Sequence, residues 1–331
     1  MRVAVIGAGS MGGMHAQLLG GLEGVSEVVV VDTDAERAAL AARNAGGRPV
    51  THEEALSQAD AIVIATPADM HAAAVEAAVE RGIPALCEKP LTDDLATSAA
   101  LVRHVEAAGA HVEMGFQRRH EASFAEARRQ VADGETGPIH LMRLTAFDPR
   151  VTPRAATEWS PNDAAPLFLH SSVHDFDFAR WMSGQEVVEV TADGSRRDDP
   201  RPDDPRGVET AVVTLRMSEG ALAVLVATWL HPAGYDSRAE VIAEHAHLSM
   251  GLSPRTPARQ LDWSSKGSDP WAGYLERYEA AYRAELVAFL AAARGEQEPS
   301  STVRDGHEAL RIAVAATRSY AEHRPVRLDE I

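Results

Sequence analysis

Two lysines, Lys89 and Lys266, stand against thirty arginines in this chain. Lys89 lies in Ala85-Leu86-Cys87-Glu88-Lys89-Pro90, directly after an apolar run. A buried ammonium can shift its protonation, donate from a compact centre and share protons, which a guanidinium cannot. An isolated lysine is ordinarily a surface residue. Two other groups of residues argue otherwise here. Upstream, Ile6-Gly7-Ala8-Gly9-Ser10-Met11-Gly12 follows a short apolar strand and opens a helical pattern. Gly7 permits a tight turn, Gly9 lets backbone approach a pyrophosphate, and Gly12 lets helix and sheet pack closely. The helix start, Ser10 and Met11 included, offers free N–H groups to phosphate. Asp32 closes the next apolar run at the spacing expected of a ribose-binding acid. Its carboxylate suits the ribose hydroxyls of NAD and repels the 2′-phosphate of NADP. Arg37 keeps NADP open as a second reading. Downstream, His170-Ser171-Ser172-Val173-His174-Asp175-Phe176-Asp177 reads as helix. Steps of four and three place His170, His174 and Asp177 on one face. There is no HExxH glutamate and no third ligand in view, so no metal is expected. A His–Asp pair suits general-base chemistry, with the imidazole taking a hydroxyl proton while hydride leaves the carbon.

These residues need elements to hold them. Over the first 120 residues, apolar strands at 3–6, 28–31, 61–65 and 85–87 alternate with helical patterns at 11–19, 35–45, 71–81 and 93–108. Runs apolar on both faces suit a parallel sheet covered on both sides, hence a doubly wound α/β domain. Ala65-Thr66-Pro67 ends the third strand at the same sheet edge, where Thr66 and Pro67 can line the nicotinamide side. Beyond residue 120 the rhythm changes to longer alternating strands at 139–146, 187–192, 208–217, 221–230 and 239–250. One helix near 168–183 interrupts them, and two more close the chain at 274–294 and 304–322. The expectation is a Rossmann domain over 1–120 and, over 121–331, an α+β domain with a large, open, mostly antiparallel sheet. The charged, proline-rich stretch 196–205 has no apolar face to bury and reads as a solvated loop. Long loops at 149–166 and 253–271, holding Trp159, Trp263 and Trp271, have the length of lids or interface elements.

The whole constellation resembles the glucose–fructose oxidoreductase / inositol 2-dehydrogenase family, over nearly the full chain. The glycine turn, Ala65-Thr66-Pro67 with His71, Glu88-Lys89-Pro90 and Gly115-Phe116-Gln117-Arg118-Arg119 occur in family order. His174-Asp175-Phe176-Asp177, Gly234-Tyr235-Asp236-Ser237-Arg238 and Arg277-Tyr278-Glu279-Ala280-Ala281-Tyr282 follow them. Within the family these stretches look most like the inositol dehydrogenase branch. The resemblance implies that Lys89 and His174 face the nicotinamide ring, that Thr66, Pro67, His71 and Glu88 belong to the cofactor site, and that Pro90 follows a cis peptide. It makes Arg118, His170 and Tyr235 substrate contacts. It also implies oligomers, dimer or tetramer, through the open sheet. One position departs from the inositol type: His170 stands where an Asp is usual. Lys89 would then share its pocket with two imidazoles and an oxidised nicotinamide, which pushes its pKa down.

The function expected is NAD-dependent hydride transfer at a secondary hydroxyl of a cyclitol, sugar or sugar derivative. His174 is the acid/base, Asp177 orients it and Lys89 polarises the reacting oxygen. The alternatives are a ketosugar reductase or aldose oxidoreductase with tightly held NAD(P), and a non-catalytic NAD-sensing protein. A net charge of -17 argues against nucleic acid as a partner. No stretch reaches the ~20 apolar residues that span a bilayer. The N-terminus runs into glycines without the features of a signal peptide, and Cys87 is the sole cysteine. The expected location is the cytoplasm.

Overall fold

The computed structural model of the chain describes residues 1–149, 165–196, 207–251 and 271–331. Most of the charged stretch 196–205 and the loop residues around Trp159 and Trp263 lie outside the described residues. Two compact units divide the chain: Met1–His120 with Ala280–His307, and Glu121–Glu279 with Glu308–Ile331. The second domain expected over 121–331 thus gives residues 280–307 to the first unit. The reason is visible in what that segment covers. Tyr282 and Phe289 stand edge-on to His15 and His111 at 5.8 and 5.9 Å. Ser300 and Ser301 bond Glu113 and the Met114 backbone.

The first unit is built on β1 (Arg2–Ile6), β2 (Glu27–Val31), β3 (Arg48–Pro49), β4 (Ala61–Ile64), β5 (Ala85–Cys87) and β6 (Val112–Met114). All neighbours are parallel, in the order β3-β2-β1-β4-β5-β6. Helices α1 (Ser10–Gly20), α2 (Ala35–Asn44), α3 (His52–Gln58), α4 (His71–Glu80) and α5 (Leu95–Ala108) make the crossovers. β1 and β4 are buried almost throughout, the signature of a sheet covered on both faces. Strand order reverses between β1 and β4, and ligands of such sheets bind outside the carboxyl ends of the strands at that point. The chain places Gly7 after β1 and Ala65 after β4. Short β3, α3 and β6 are additions to the strands and helices expected from the sequence.

The second unit holds α6 (Ala122–Ala132), β7 (Ile139–Pro149), a π-helical turn Leu167–Ser172, α7 (Val173–Ser183), β8 (Val187–Ser195), β9 (Thr210–Met217) and β10 (Leu222–His231). It continues with β11 (Asp236–Ala243) and β12 (His247–Met250), and closes with β13 (Val326–Arg327). Helices α8 (Tyr274–Ala293) and α9 (Val303–Glu322) divide between the units. The sheet order is β12-β11-β7-β10-β9-β8-β13, parallel between β7 and β10 and antiparallel elsewhere. Burial alternates along β9: Ala211, Val213, Leu215 and Met217 are buried while Val212 is 47% exposed. One face therefore belongs to the core and the other is open. The run 239–250 is not one strand. Glu244 and His245 donate their N–H groups to Pro138 and Thr136, and Ala243 to Ala246 closes a turn, so the run splits into β11 and β12. Helix α6, unforeseen from the sequence, buries Phe124 and Ala127.

Candidate functional site

Gly7, Gly9 and Gly12, after β1, differ in what surrounds them. Gly7 has φ +92°, and a Cβ there would stand 2.6 Å from the Ala65 carbonyl oxygen and 2.8 Å from Thr66 N. A Cβ on Gly12 would run into the Gly7 carbonyl. At Gly9 a Cβ would meet no atom of the described residues within 4 Å. Gly7 and Gly12 let chain pack on chain; Gly9 leaves room beside the helix start. Gly9 caps α1 with no side-chain hydrogen bond, and its first turn carries no acidic residue. The amide donors of Ser10, Met11 and Gly12 thus face a position suited to an anion.

Asp32 lies just past β2 with its side chain 7% exposed. Oδ2 accepts the Ala8 N–H at 2.7 Å, and Oδ1 accepts the Asp34 N–H at 2.8 Å and Arg37 Nη2 at 2.9 Å. Burial pushes this carboxyl up, but the two amides and the guanidinium outweigh it and hold it below the usual range. The acid is therefore ionised and bonded to the glycine turn. Arg37, its half-exposed partner, stands at the outer side.

The Lys89 turn follows β5. Lys89 is half-buried, and the Lys89–Pro90 peptide is cis. Glu88, expected at the cofactor, turns its carboxylate to His15 of α1, with Oε1 and Nε2 2.7 Å apart. Its Oε2 accepts the Lys89 N–H at 3.2 Å. His71 is 1% exposed, with Nδ1 2.8 Å from the Pro90 carbonyl oxygen and Nε2 2.9 Å from that of Thr66. Burial pushes the His71 pKa down, against the two carbonyls. His71 thus lies between the carbonyls of the turns after β4 and β5, and as a neutral imidazole it donates to one of the two. Thr66 keeps a buried Oγ1 without a hydrogen-bond partner among the described residues. Pro67 precedes the short helical turn that leads into α4. Arg118, in the turn Gln117–His120, is 5% exposed.

In the second unit, His170 lies in the π-helical turn, and α7 begins at Val173. The expected face shared by His170, His174 and Asp177 assumed α-helical steps throughout. A π turn bonds i to i+5 and widens the step from His170. His174 and Asp177, both within α7, do share a face, at 8% and 2% exposure. Tyr235 is 8% exposed, donates its N–H to the Trp271 carbonyl at 2.8 Å and stands edge-on to Tyr278 at 6.1 Å. Beside His170, Ser171 Oγ donates to Asp148 Oδ2 at 2.8 Å and accepts Trp229 Nε1–H at 2.7 Å. Ser171, Trp229 and Asp148 were not singled out from the sequence, nor were His15 and Glu285. A histidine on the buried side of α1 was the one available signal.

The family follows from comparison with known proteins. Residues 1–116 match the family model described as "Oxidoreductase family, NAD-binding Rossmann fold", and residues 124–249 match "GFO/IDH/MocA C-terminal domain". The chain belongs to the GFO/IDH/MocA oxidoreductase family. It is 37% identical over 325 residues to myo-inositol dehydrogenase Hyg17 of Streptomyces leeuwenhoekii, covering 96% of this chain and 97% of that one. It is 30% identical to the scyllo-inositol 2-dehydrogenase (NAD(+)) of Bacillus subtilis, over 99% of this chain and 96% of the relative. The crystal structure of a myo-inositol dehydrogenase from Corynebacterium glutamicum superposes with a TM-score of 0.87 at 31% identity, covering 99% and 98% of the two chains.

The residues present fit the family's cofactor. The open position at Gly9, the uncapped start of α1 and the ionised Asp32 are the features a dinucleotide needs. This GFO/IDH/MocA protein is an NAD-dependent oxidoreductase. NAD supplies the hydride acceptor at its nicotinamide ring.

Proposed function

We propose that the chain oxidises a secondary hydroxyl of a cyclitol or closely related polyol, with the named residues in the following roles. Gly7, Gly9, Ser10, Met11 and Gly12 hold the pyrophosphate, and Asp32 takes the adenosine ribose. Thr66 and Pro67 line the nicotinamide side. His71 and Glu88 serve that side through the backbone they hold. Lys89 donates to the reacting oxygen and favours the developing alkoxide and carbonyl charge. His174 accepts the hydroxyl proton, and Asp177 keeps its imidazole oriented. Arg118, His170 and Tyr235 bind the other hydroxyls. Assembly as a dimer or tetramer uses the open face of the second sheet, where Val212 and Val226 are exposed. The protein works in the cytoplasm.

The observation that carries this reading is a chain that joins a lysine turn at the edge of a dinucleotide sheet to a helix burying a His–Asp pair. The inositol dehydrogenases named above set the substrate class. The experiment is a panel of inositol stereoisomers, polyols and aldoses, each with NAD and NADP, followed at the nicotinamide absorbance. Turnover of at least one inositol with NAD is expected. Turnover confined to simple aldoses, or NAD binding with no turnover of any cyclitol, would overturn it in favour of an aldose oxidoreductase or a sensing protein.

A further inference from the structure

The Lys89 turn is braced by a buried carboxylate. Glu88 is 5% exposed, and both of its oxygens are engaged, Oε1 by His15 Nε2 at 2.7 Å and Oε2 by the Lys89 N–H at 3.2 Å. Gly115 closes the third side: a Cβ there would stand 3.1 Å from Glu88 Oε2. His15 is itself fully buried, on the helix that starts at the glycine turn, with its ring edge-on to Tyr282. On the other side of the lysine, His71 of α4 bonds the Pro90 carbonyl oxygen. The residues before and after Lys89 are thus each tied to a helix.

We propose that Glu88 and His15 are positioning residues for Lys89. They fix the lysine turn to the helix behind the glycine turn and set a buried carboxylate against the Lys89 backbone, one residue from the ammonium. The inference rests on the role proposed above for Lys89 as a donor to the reacting oxygen. The ionisable groups around Glu88 are His15 on α1, His71 on α4, Glu285 on α8, and its chain neighbours Cys87 and Lys89. Burial pushes the Glu88 carboxyl up, but the His15 hydrogen bond and the neighbouring cationic groups, Lys89 among them, outweigh it and keep it low. Burial drives Glu285 well up, and the charges of Glu88 and Glu113 add to that. The Cys87 thiol is likewise pushed up by burial. Burial thus disfavours a charge on Glu285 and on Cys87, so neither is suited to replace the Glu88 charge. Removing that charge without changing the shape must lower the proton affinity of Lys89.

Two lysines make the test direct. Protein labelled with ¹³Cε-lysine gives one signal from each, assigned with Lys266→Arg, and both are titrated without cofactor. Glu88→Gln is expected to raise the acid dissociation constant of Lys89 by about tenfold or more, with Lys266 unmoved. Glu88→Asp keeps the charge and loses reach to His15, so it should move Lys89 less. No displacement in the Gln variant, or equal displacement in both, overturns the proposal. If neither variant folds, the wild-type protein decides. Lys89 titrating at or above its value in the urea-unfolded chain supports the brace; a value well below it overturns it. In the NAD-loaded enzyme, saturated with cofactor, kcat of Glu88→Gln should fall about tenfold and its pH profile should move with the Lys89 titration. Unchanged kcat overturns the positioning role. The expected Lys89 displacement in a protein that turns over no cyclitol would support the brace while sinking the proposed reaction.

Discussion

At the scale of single residues, Lys89 and Glu285 lead to opposite expectations. On the role proposed for Lys89, Lys89→Met removes a donor from the reacting oxygen, a loss of about 3 kcal/mol or ~100-fold in turnover. Its neighbours Glu88 and Pro90 stay bonded through His15 and His71. NADH binding, read by fluorescence titration, should therefore be retained. Turnover within about threefold of wild type would return the lysine to a structural role. Glu285 is 2% exposed, and neither carboxyl oxygen has a hydrogen-bond partner among the described residues. Its pKa is raised well above the usual 4.5, first by burial and then by Glu88 and Glu113. A group with a raised folded pKa favours the folded state below its unfolded pKa, and that advantage is lost as pH rises. Above the unfolded pKa the native chain bears a cost at this group. Glu285→Gln, isosteric and always neutral, should then stabilise the protein at neutral pH, with a gain that shrinks as pH falls, measured by urea unfolding. A destabilised variant would mean that the acid has a partner worth more than that cost. Lys89 was legible from its rarity and its motif. Glu285 was not, because α8 carries several glutamates and burial of one against residues far away in sequence leaves no local pattern.

At the scale of elements, legibility followed the length and continuity of the apolar pattern. β1, β2, β4 and β5 read directly as continuous apolar runs. β3 and β6 are too short for any period to register, and α6 places only Phe124 and Ala127 fully inside. Helix α7 was expected, but not the π turn before it, since Leu167–Ser172 reads the same at either pitch. That turn matters for His170, which replaces an acceptor carboxylate in the resemblance to inositol dehydrogenases. A site built to hydrogen-bond a hydroxyl discriminates by ~10⁴-fold, so changing the acceptor is enough to change the substrate. The expectation is poor oxidation of myo-inositol by the wild type and a gain with His170→Asp. Efficient myo-inositol oxidation with no gain from the substitution would show that the imidazole makes the same hydrogen bond. The loop after β2 sets cofactor choice. Asp32 is ionised and held by Ala8 and Asp34, so a 2′-phosphate meets a fixed negative charge. kcat/KM should favour NAD over NADP. Asp32→Ala should narrow the ratio, leaving Arg37 free to meet the phosphate. An NADP preference in the wild type would contradict this.

At the scale of the molecule, the acid limb of stability combines terms of opposite sign, and the histidines and Glu285 that set them lie in the first unit. Burial lowers the His120 pKa to about 4, with Arg119 adding to it and Glu113 opposing. Burial lowers His71 as well. For these groups the unfolded chain binds protons that the folded chain refuses, so stability falls as pH drops below about 6.5. His120 alone accounts for about 2 kcal/mol between pH 6.5 and 4. Glu285 works the other way, since the cost of its proton is relieved over the same descent. The two terms partly cancel in the wild type, and each substitution uncovers the other. His120→Asn should flatten the loss of stability on acidification, while Glu285→Gln should steepen it. The measurement is the urea midpoint at half-unit intervals from pH 7.5 to about 4, the range in which these groups change charge. Carboxylates held low, such as Glu88, Glu113 and Glu121, lose their contribution toward the acid end of that window and below it, in all three proteins alike. Parallel curves for the three proteins would mean that neither buried group governs the pH response of this fold.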